Sequence, residues 1–521
     1  DKLFIRHWDE YKTGRRHHPF LVQIERQSNG IYKFSSPVID LLFNVDSDSP
    51  TRPFGSAKAQ WSFSATGNSF AYTRQYDENS TVAWTTNLDI FTVDLNASTF
   101  ESMCITCNNL ATDTDPSYSP MDDKILIYRS HSVPRYESDQ FKVKIYNGSN
   151  TPITLLDSSD LSIQVATWSL DGQSLYLEVG EEARNVIYYL SDIFTSQSLV
   201  RLVSNGTSHN INIHPINDRV FVCTHESILE PPNIYLYSSD GSSRYLTVHN
   251  NVLLTKVKMS TIAETFSFVG ARNETVWGWH VPPANGTSNR APLAFLIHGG
   301  PQSSWYDAWS YRWNIQSFTS QGFAVIAINF HGSDSYGQNF TNSIIGEYGS
   351  LPYEDLKLGL DYALRNFPYI DGNRAAALGA SYGAYMINWI AGHPEMSSRF
   401  KTLVCHNGVS DTRAKSYSSE ELWFTEHDAG GKPQYEDPDA YERYNPVNHV
   451  ANWTQPMLII VGAHDYRVPE TQGIGTFTAL QRRGIESRLL YFPTENHWVI
   501  NPLHSITWYE QVLGWMRKFT S

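Results

Sequence analysis

Near residue 265 the sequence changes its period, and this change constrains the fold more than any other feature. From residue 1 to about 265 the chain reads as short alternating runs separated by turn clusters, with almost no helical periodicity. A weak motif recurs as WSFSATGNSFAYT (61–73), PSYSPMDDKILIYRS (116–130), ATWSLDGQSLYLEV (166–179) and INIHPINDRVFVCTH (211–225). Each copy has an apolar or aromatic anchor, a polar turn and then an alternating strand. The anchors Trp61, Tyr118, Trp168 and Ile213 lie 57, 50 and 45 residues apart. A repeat of about 50 residues built of short strands can bury its sheet faces only by stacking on its neighbours, which predicts β-propeller blades. A β-sandwich with chance internal similarity is the alternative.

After residue 265 apolar strands alternate with amphipathic helices. Strands are expected at 292–298, 323–329, 374–380, 401–407, 456–463 and 487–493, and helices at 353–366, 382–392, 471–483 and 503–518. That alternation implies a mainly parallel sheet with helices on both faces. The 521 residues are too many for one compact domain. Two are therefore expected: propeller blades over 1–265 and an α/β domain, with a mainly parallel sheet covered by helices, over 266–521.

The stretch LGASYGAYMINW (378–389) sits where a strand should turn into a helix. Ser381 lies between Gly379 and Gly383, the spacing of a nucleophile elbow. Such a turn is so tight that neighbouring backbones nearly touch, and small residues are needed two positions before and after the serine. It lifts the hydroxyl clear of the sheet and aims helix N–H groups at a developing oxyanion. A serine needs a base, and the base needs an orienting carboxylate, in the order Ser, then Asp or Glu, then His in the α/β-hydrolase fold that this turn implies for 266–521. Asp465 follows PMLIIVGA (456–463), and His497 follows SRLLYFP (487–493), each just past the carboxyl end of a strand. Ser381, Asp465 and His497 are thus the expected triad. His464 and Asp428 read as surface or packing residues, and His504 lies in the last helix. The loop LIHGGPQSSW (296–305) offers the Gly300 N–H as an oxyanion donor beside that of Tyr382. His298 reads as a loop-shaping residue.

The formal net charge of −14 argues against nucleic acid and anionic membrane surfaces. No apolar run approaches the ~20 residues of a spanning helix. The sequence starts at Asp1 without a Met or a signal peptide, so a processed or trimmed chain is expected. Sequons at Asn79, Asn96, Asn147, Asn205, Asn273, Asn285, Asn339 and Asn452 point towards secretion and glycosylation. Of the four cysteines, Cys104 and Cys107 in CITC are expected to form a local disulfide. A zinc site would need two more nearby ligands, and a redox motif would need its own βαβ unit. Cys223 and Cys405 read as buried thiols.

The motifs HGGPQ (298–302), GASYGAYMINWIAGHP (379–394), GAHDYRVP (462–469) and ENHWV (495–499) resemble those of the prolyl oligopeptidase family of serine peptidases. FIRHWDEY (4–11), LVCHNGVSDT (403–412) and ELWFTEHDAGG (421–431) look more narrowly like its secreted fungal dipeptidyl peptidases. The resemblance spans essentially the whole chain. It implies release of N-terminal dipeptides from peptides through an acyl-enzyme on Ser381, without a metal or other cofactor. It also implies that Gly300 is a backbone oxyanion donor, that Tyr382 and Val468 line the pocket for the residue before the scissile bond, and that Arg467 lies beside the substrate. A salt bridge under the Asp465 loop is the plainer reading of Arg467. Glu181 and Glu182 are candidates for holding the substrate amine. The chain departs from the family in reading Ser381-Tyr382-Gly383-Ala384, where a second glycine is usual. The family uses seven or more blades, whereas residues 1–265 have room for four to five at about 50 residues each. N-terminal blades are therefore expected to be missing, with the bare faces covered by a separate N-terminal propeller fragment or a second copy of the chain. An acylaminoacyl peptidase, oligopeptidase or esterase could share this triad, and an inactive truncated binding protein is the reading from another class.

Overall fold

The computed structural model describes residues 3, 5–52, 57–75, 82–149, 151–203, 205–238 and 241–521. Residues 61–245 form four successive four-stranded sheets, each an antiparallel meander. Their first strands are Trp61–Phe63, Asp113–Tyr118, Ile163–Trp168 and Thr207–Ile213, so each repeat anchor opens its own sheet. Successive sheets stack face to face. Ala71 and Ile90 of the first pack on Leu126 and Tyr128 of the second. Ile127 and Val143 of the second meet Trp168, Leu175 and Leu177 of the third, and Tyr176 and Ile187 meet Phe221 and Cys223 of the fourth. This is the layered packing of a β-propeller. Ahead of it lie two short ladders, Phe20–Leu21 with Ile39–Asp40 and Ile24–Arg26 with Tyr32–Phe34, and a hairpin pairing Arg6–His7 with Glu10–Tyr11.

The chain then builds one eight-stranded sheet. Its spatial order is Glu264–Val269, Thr275–Val281, Ala324–Asn329, Ala291–Ile297, Ile370–Ala380, Thr402–His406, Met457–Gly462 and Ser487–Phe492. The first three are joined antiparallel and the rest parallel. Continuous apolar runs suit this sheet because both faces are buried. Leu293, Phe295 and Ile297 enter the core under helices Leu351–Asn366 and Tyr382–Ala391. The alternate residues Ala294 and Leu296 enter the core formed with Ile315–Thr319 and Pro502–Thr520. The parallel strands carry the chain repeatedly to one edge, where their carboxyl ends hold the site. Among the described residues no helix is long and apolar enough to cross a membrane.

Candidate active site

The strand Ile370–Ala380 ends at Ser381, and the helix Tyr382–Ala391 begins at the next residue. Ser381 has φ 57° and ψ −121°, a costly conformation for a residue with a side chain. The turn is held by its N–H donating to the His406 carbonyl at 3.0 Å, while its own carbonyl accepts the Ala384 and Tyr385 N–H groups. The neighbouring loop closes on it from the other side: a Cβ on Gly299 would stand 3.2 Å from the Ser381 Cβ. The Gly300 and Tyr382 N–H groups donate to no acceptor among the described residues, so both remain available to a ligand.

His497 and Asp465 meet as a buried pair, with Nδ1 donating to Asp465 Oδ2 at 2.6 Å. Asp465 Oδ1 accepts from the Arg467 and Val468 N–H groups at 3.0 and 2.8 Å, so both carboxylate oxygens are engaged. Ser381, Tyr382, His497, Val468, Arg467 and Gly300 all line one cavity of about 600 Å³. Tyr382 turns its ring into a buried cluster with Tyr348 and Phe330, its hydroxyl donating to the Tyr348 carbonyl at 2.7 Å. Arg467 stands at the cavity wall and in an ion-pair network, through Nε to Glu420 at 3.0 Å and through a terminal nitrogen to Glu421.

Glu181 and Glu182 are not among the residues lining this cavity; Glu181 pairs with Arg201 at 3.0 Å and accepts from the Tyr188 hydroxyl. The carboxylate that the propeller does bring to the cavity is Glu137, an exposed residue whose Oε2 accepts from the Trp423 indole at 3.3 Å. Reasoning from the sequence missed it because it sits in an irregular loop with no motif around it. Glu421 and Lys415 also line the wall, and burial raises the Glu421 carboxyl pKa while lowering that of the Lys415 amine. Asn407 is a second omission. Its side chain donates to the His497 carbonyl at 3.2 Å and accepts from Gly462 N–H at 3.1 Å, tying together the strand ends that carry the base and its carboxylate.

His298 stacks on Phe330, donates through Nδ1 to the Gly299 carbonyl and accepts at Nε2 from the Ser333 hydroxyl, and burial lowers its pKa to about 4. It shapes the glycine loop. Asp428, also buried, accepts from Gln302 at 3.2 Å and props the same loop. His464 is exposed, and His504 pairs with Glu495. Cys104 and Cys107 are joined as a disulfide, and Cys223 and Cys405 are buried free thiols. Among the described residues the one close group of three metal-ligand types is Asp89 with these two bonded sulfurs. Seven sequon asparagines are exposed, and Asn79 lies outside the described residues.

A stacked propeller in front of a nucleophile elbow with its His–Asp pair defines a class, the propeller-bearing serine hydrolases of α/β fold. Residues 309–521 match the prolyl oligopeptidase family model. The chain is 35% identical over 531 residues to dipeptidyl-peptidase 5 of Schizosaccharomyces pombe, covering all of this chain and 75% of that protein. It is 33% identical over 543 residues to dipeptidyl-peptidase 5 of Arthroderma otae, of which it covers 72%. The chain belongs to the prolyl oligopeptidase family. Among solved structures, the acylaminoacyl peptidase of Pyrococcus horikoshii superposes with a TM-score of 0.75 at 21% identity, over 87% of this chain and 70% of that one. Dipeptidyl peptidase 4 of Porphyromonas gingivalis gives 0.68 at 14% identity, over 93% and 78%.

Proposed function

We propose that this chain is a serine exopeptidase that releases dipeptides from the free amino end of peptides. The observation that carries the reading is a single cavity, lined by Ser381, His497, Gly300 and Tyr382 together with the accessible carboxylate of Glu137. In this mechanism His497 removes the Ser381 proton as the oxygen attacks the scissile carbonyl. Asp465 fixes the imidazole through Nδ1 and stabilises its charged form. The Gly300 and Tyr382 N–H groups hold the oxyanion, and His497 then protonates the departing amine. Water, deprotonated by His497, attacks the acyl carbonyl, and His497 returns that proton to the departing Ser381 oxygen as the dipeptide leaves. Val468 and Tyr382 contact the residue before the scissile bond. Glu137, rather than Glu181 or Glu182, holds the substrate ammonium, because an accessible carboxylate on the cavity wall can meet that charge.

The names of the relatives support the dipeptidyl reading. A fold shared with an acylaminoacyl peptidase supports a second, in which a blocked amino terminus is preferred. Labelling with a fluorophosphonate probe, peptide mapping, and turnover of a dipeptidyl amide against its N-acetyl form separate the two. Label on Ser381 with cleavage of the free-amine substrate alone supports the proposal. Preference for the acetylated substrate replaces it with acylaminoacyl hydrolysis. Absence of label leaves a binding protein.

The proposal extends to the chain's organisation. Blades occupy residues 1–265 and the catalytic domain 266–521, with four full blades and the short ladders before them forming an incomplete propeller. Phe20, Ile24, Tyr32 and Phe34 of those ladders are 55% or more exposed, which supports a covering N-terminal propeller fragment or second copy. The exposed sequons support secretion and glycosylation. Intact mass with light scattering, before and after glycosidase treatment, checks both.

A further inference from the structure

The turn of the hairpin Arg6–Tyr11 packs against the two loops that carry His497 and Asp465. Trp8 and Asp9 are its two central residues, and Trp8 has φ 60°. That region favours glycine, and a bulky residue there is costly unless its surroundings hold it. The surroundings do hold it. The Trp8 indole is 7% exposed. It meets the His497 ring edge-on with centroids 5.9 Å apart and the Trp498 ring at 4.6 Å. The Arg467 guanidinium lies over its face at 4.7 Å. Its main chain is engaged as well, with the N–H bonded to the Glu420 carboxylate and the carbonyl accepting the Tyr466 N–H at 3.3 Å. The flanking residues anchor the turn. Asp9 accepts from Asn496 at 2.8 Å, Arg6 donates to the Ser418 carbonyl at 2.6 Å, and His7 stands 3.3 Å from Glu420.

We propose that Trp8 is a positioning residue for the catalytic pair: the hairpin wedges its indole between the loop carrying His497 and the loop carrying Asp465 and Arg467, and so sets the attitude of the His497 ring. The contacts divide the work. The hydrogen bond to Asp465 restrains one edge of the imidazole, and the indole restrains the ring against swinging about that bond. Trp8 touches neither substrate nor reacting atom; it acts through His497. The strained φ is consistent with this role, since a glycine would suit the turn but would leave the ring unsupported. The inference rests on His497 being the base of the proposed reaction.

The test compares the wild type with Trp8→Leu, which keeps apolar bulk but removes the ring face and edge, and with Trp8→Phe, which keeps an aromatic edge. We expect Trp8→Leu to lower kcat about 10- to 100-fold while KM moves by no more than about threefold, because small misplacement of a catalytic group acts on the chemical step. The fluorophosphonate labelling rate of Ser381 should fall by a similar factor, and Trp8→Phe should recover most of both. A folded Trp8→Leu with wild-type kcat and labelling overturns the inference, as does a change confined to KM. If Trp8→Leu does not fold, Asp9→Ala, which loses only the anchor to Asn496, takes its place. It should slow labelling and turnover together several-fold, and an unchanged rate refutes the role. A wild type that is never labelled would fault the reading of the triad instead, so the two failures are distinguishable.

Discussion

Gly383 lies so close to Ile297 that a side chain on the glycine would collide with the Ile297 carbonyl oxygen. Gly379 is blocked in the same way by the carbonyl of Gly383. The two glycines around Ser381 are therefore required by backbone contact between a strand, the first turn of the following helix and the strand beside it, while Ser381 itself bears the strained conformation.

Gly383→Ala should accordingly destabilise the hydrolase domain by about 1–3 kcal/mol, the usual cost of overpacking, and slow the labelling of Ser381. Urea unfolding alongside probe labelling checks both. Ala384→Gly, one residue further on, should leave labelling nearly unchanged.

Asp465→Asn should preserve the loop, since an amide oxygen can still accept from the Arg467 and Val468 N–H groups. It should lower kcat by about 10⁴-fold, because the amide favours the wrong imidazole tautomer and cannot stabilise the imidazolium. Steady-state kinetics with an unchanged thermal midpoint would establish this.

Glu137→Gln should reduce kcat/KM for a free-amine dipeptidyl substrate about 10- to 100-fold, the range expected for losing a charge-assisted hydrogen bond. The N-acetyl analogue should be unaffected. Equal losses on both substrates would remove Glu137 from amine recognition.

His406 is 4% exposed, and neither ring nitrogen has a hydrogen-bond partner among the described residues. Burial, followed by the nearby His497 and Arg312, lowers its pKa from 6.5 to about 3. Above pH 6.5 the ring is neutral in both folded and unfolded chains, and its contribution to stability is fully present. As the pH falls from 6.5 towards 3, the unfolded chain takes a proton that the folded chain refuses, so stability is lost. His406→Phe should flatten this acid slope relative to the wild type. Calorimetry of the two proteins from pH 7 to pH 4 gives the difference.

The Cys104–Cys107 bridge spans a sequence separation of only 3 and constrains little of the unfolded chain. Its reduction should cost no more than about 2 kcal/mol on the loop-entropy model. Thermal unfolding with and without reductant measures it.

Much of the fold was legible because periodicity is a local signal. The runs PLAFLIH and PMLIIVGA had to be buried strands, and the structure places strands at Ala291–Ile297 and Met457–Gly462. The antiparallel strands Glu264–Val269 and Thr275–Val281 were passed over because they sit at the change of period, where neither pattern dominates. Short helices such as Thr412–Ser416 and Leu422–Asp428 are too brief to show a repeat. The candidate site followed a similar division. Residues at strand ends, such as Ser381, Asp465 and His497, could be nominated from spacing. Glu137, Asn407 and Trp8 reach the same place from distant loops, and no local pattern marks them. Ala384, an apparent departure from the family, is fully buried in the helix after Ser381, where a methyl group fits.

The anchor between Asp9 and Asn496 joins residues 487 positions apart. A ribosome makes Asp9 long before Asn496, so this one contact forms only after the segment carrying Asn496 has been made. The clamp on the His497 loop is thus a contact of very long sequence range, and the support of the catalytic base depends on two segments that share no local signal.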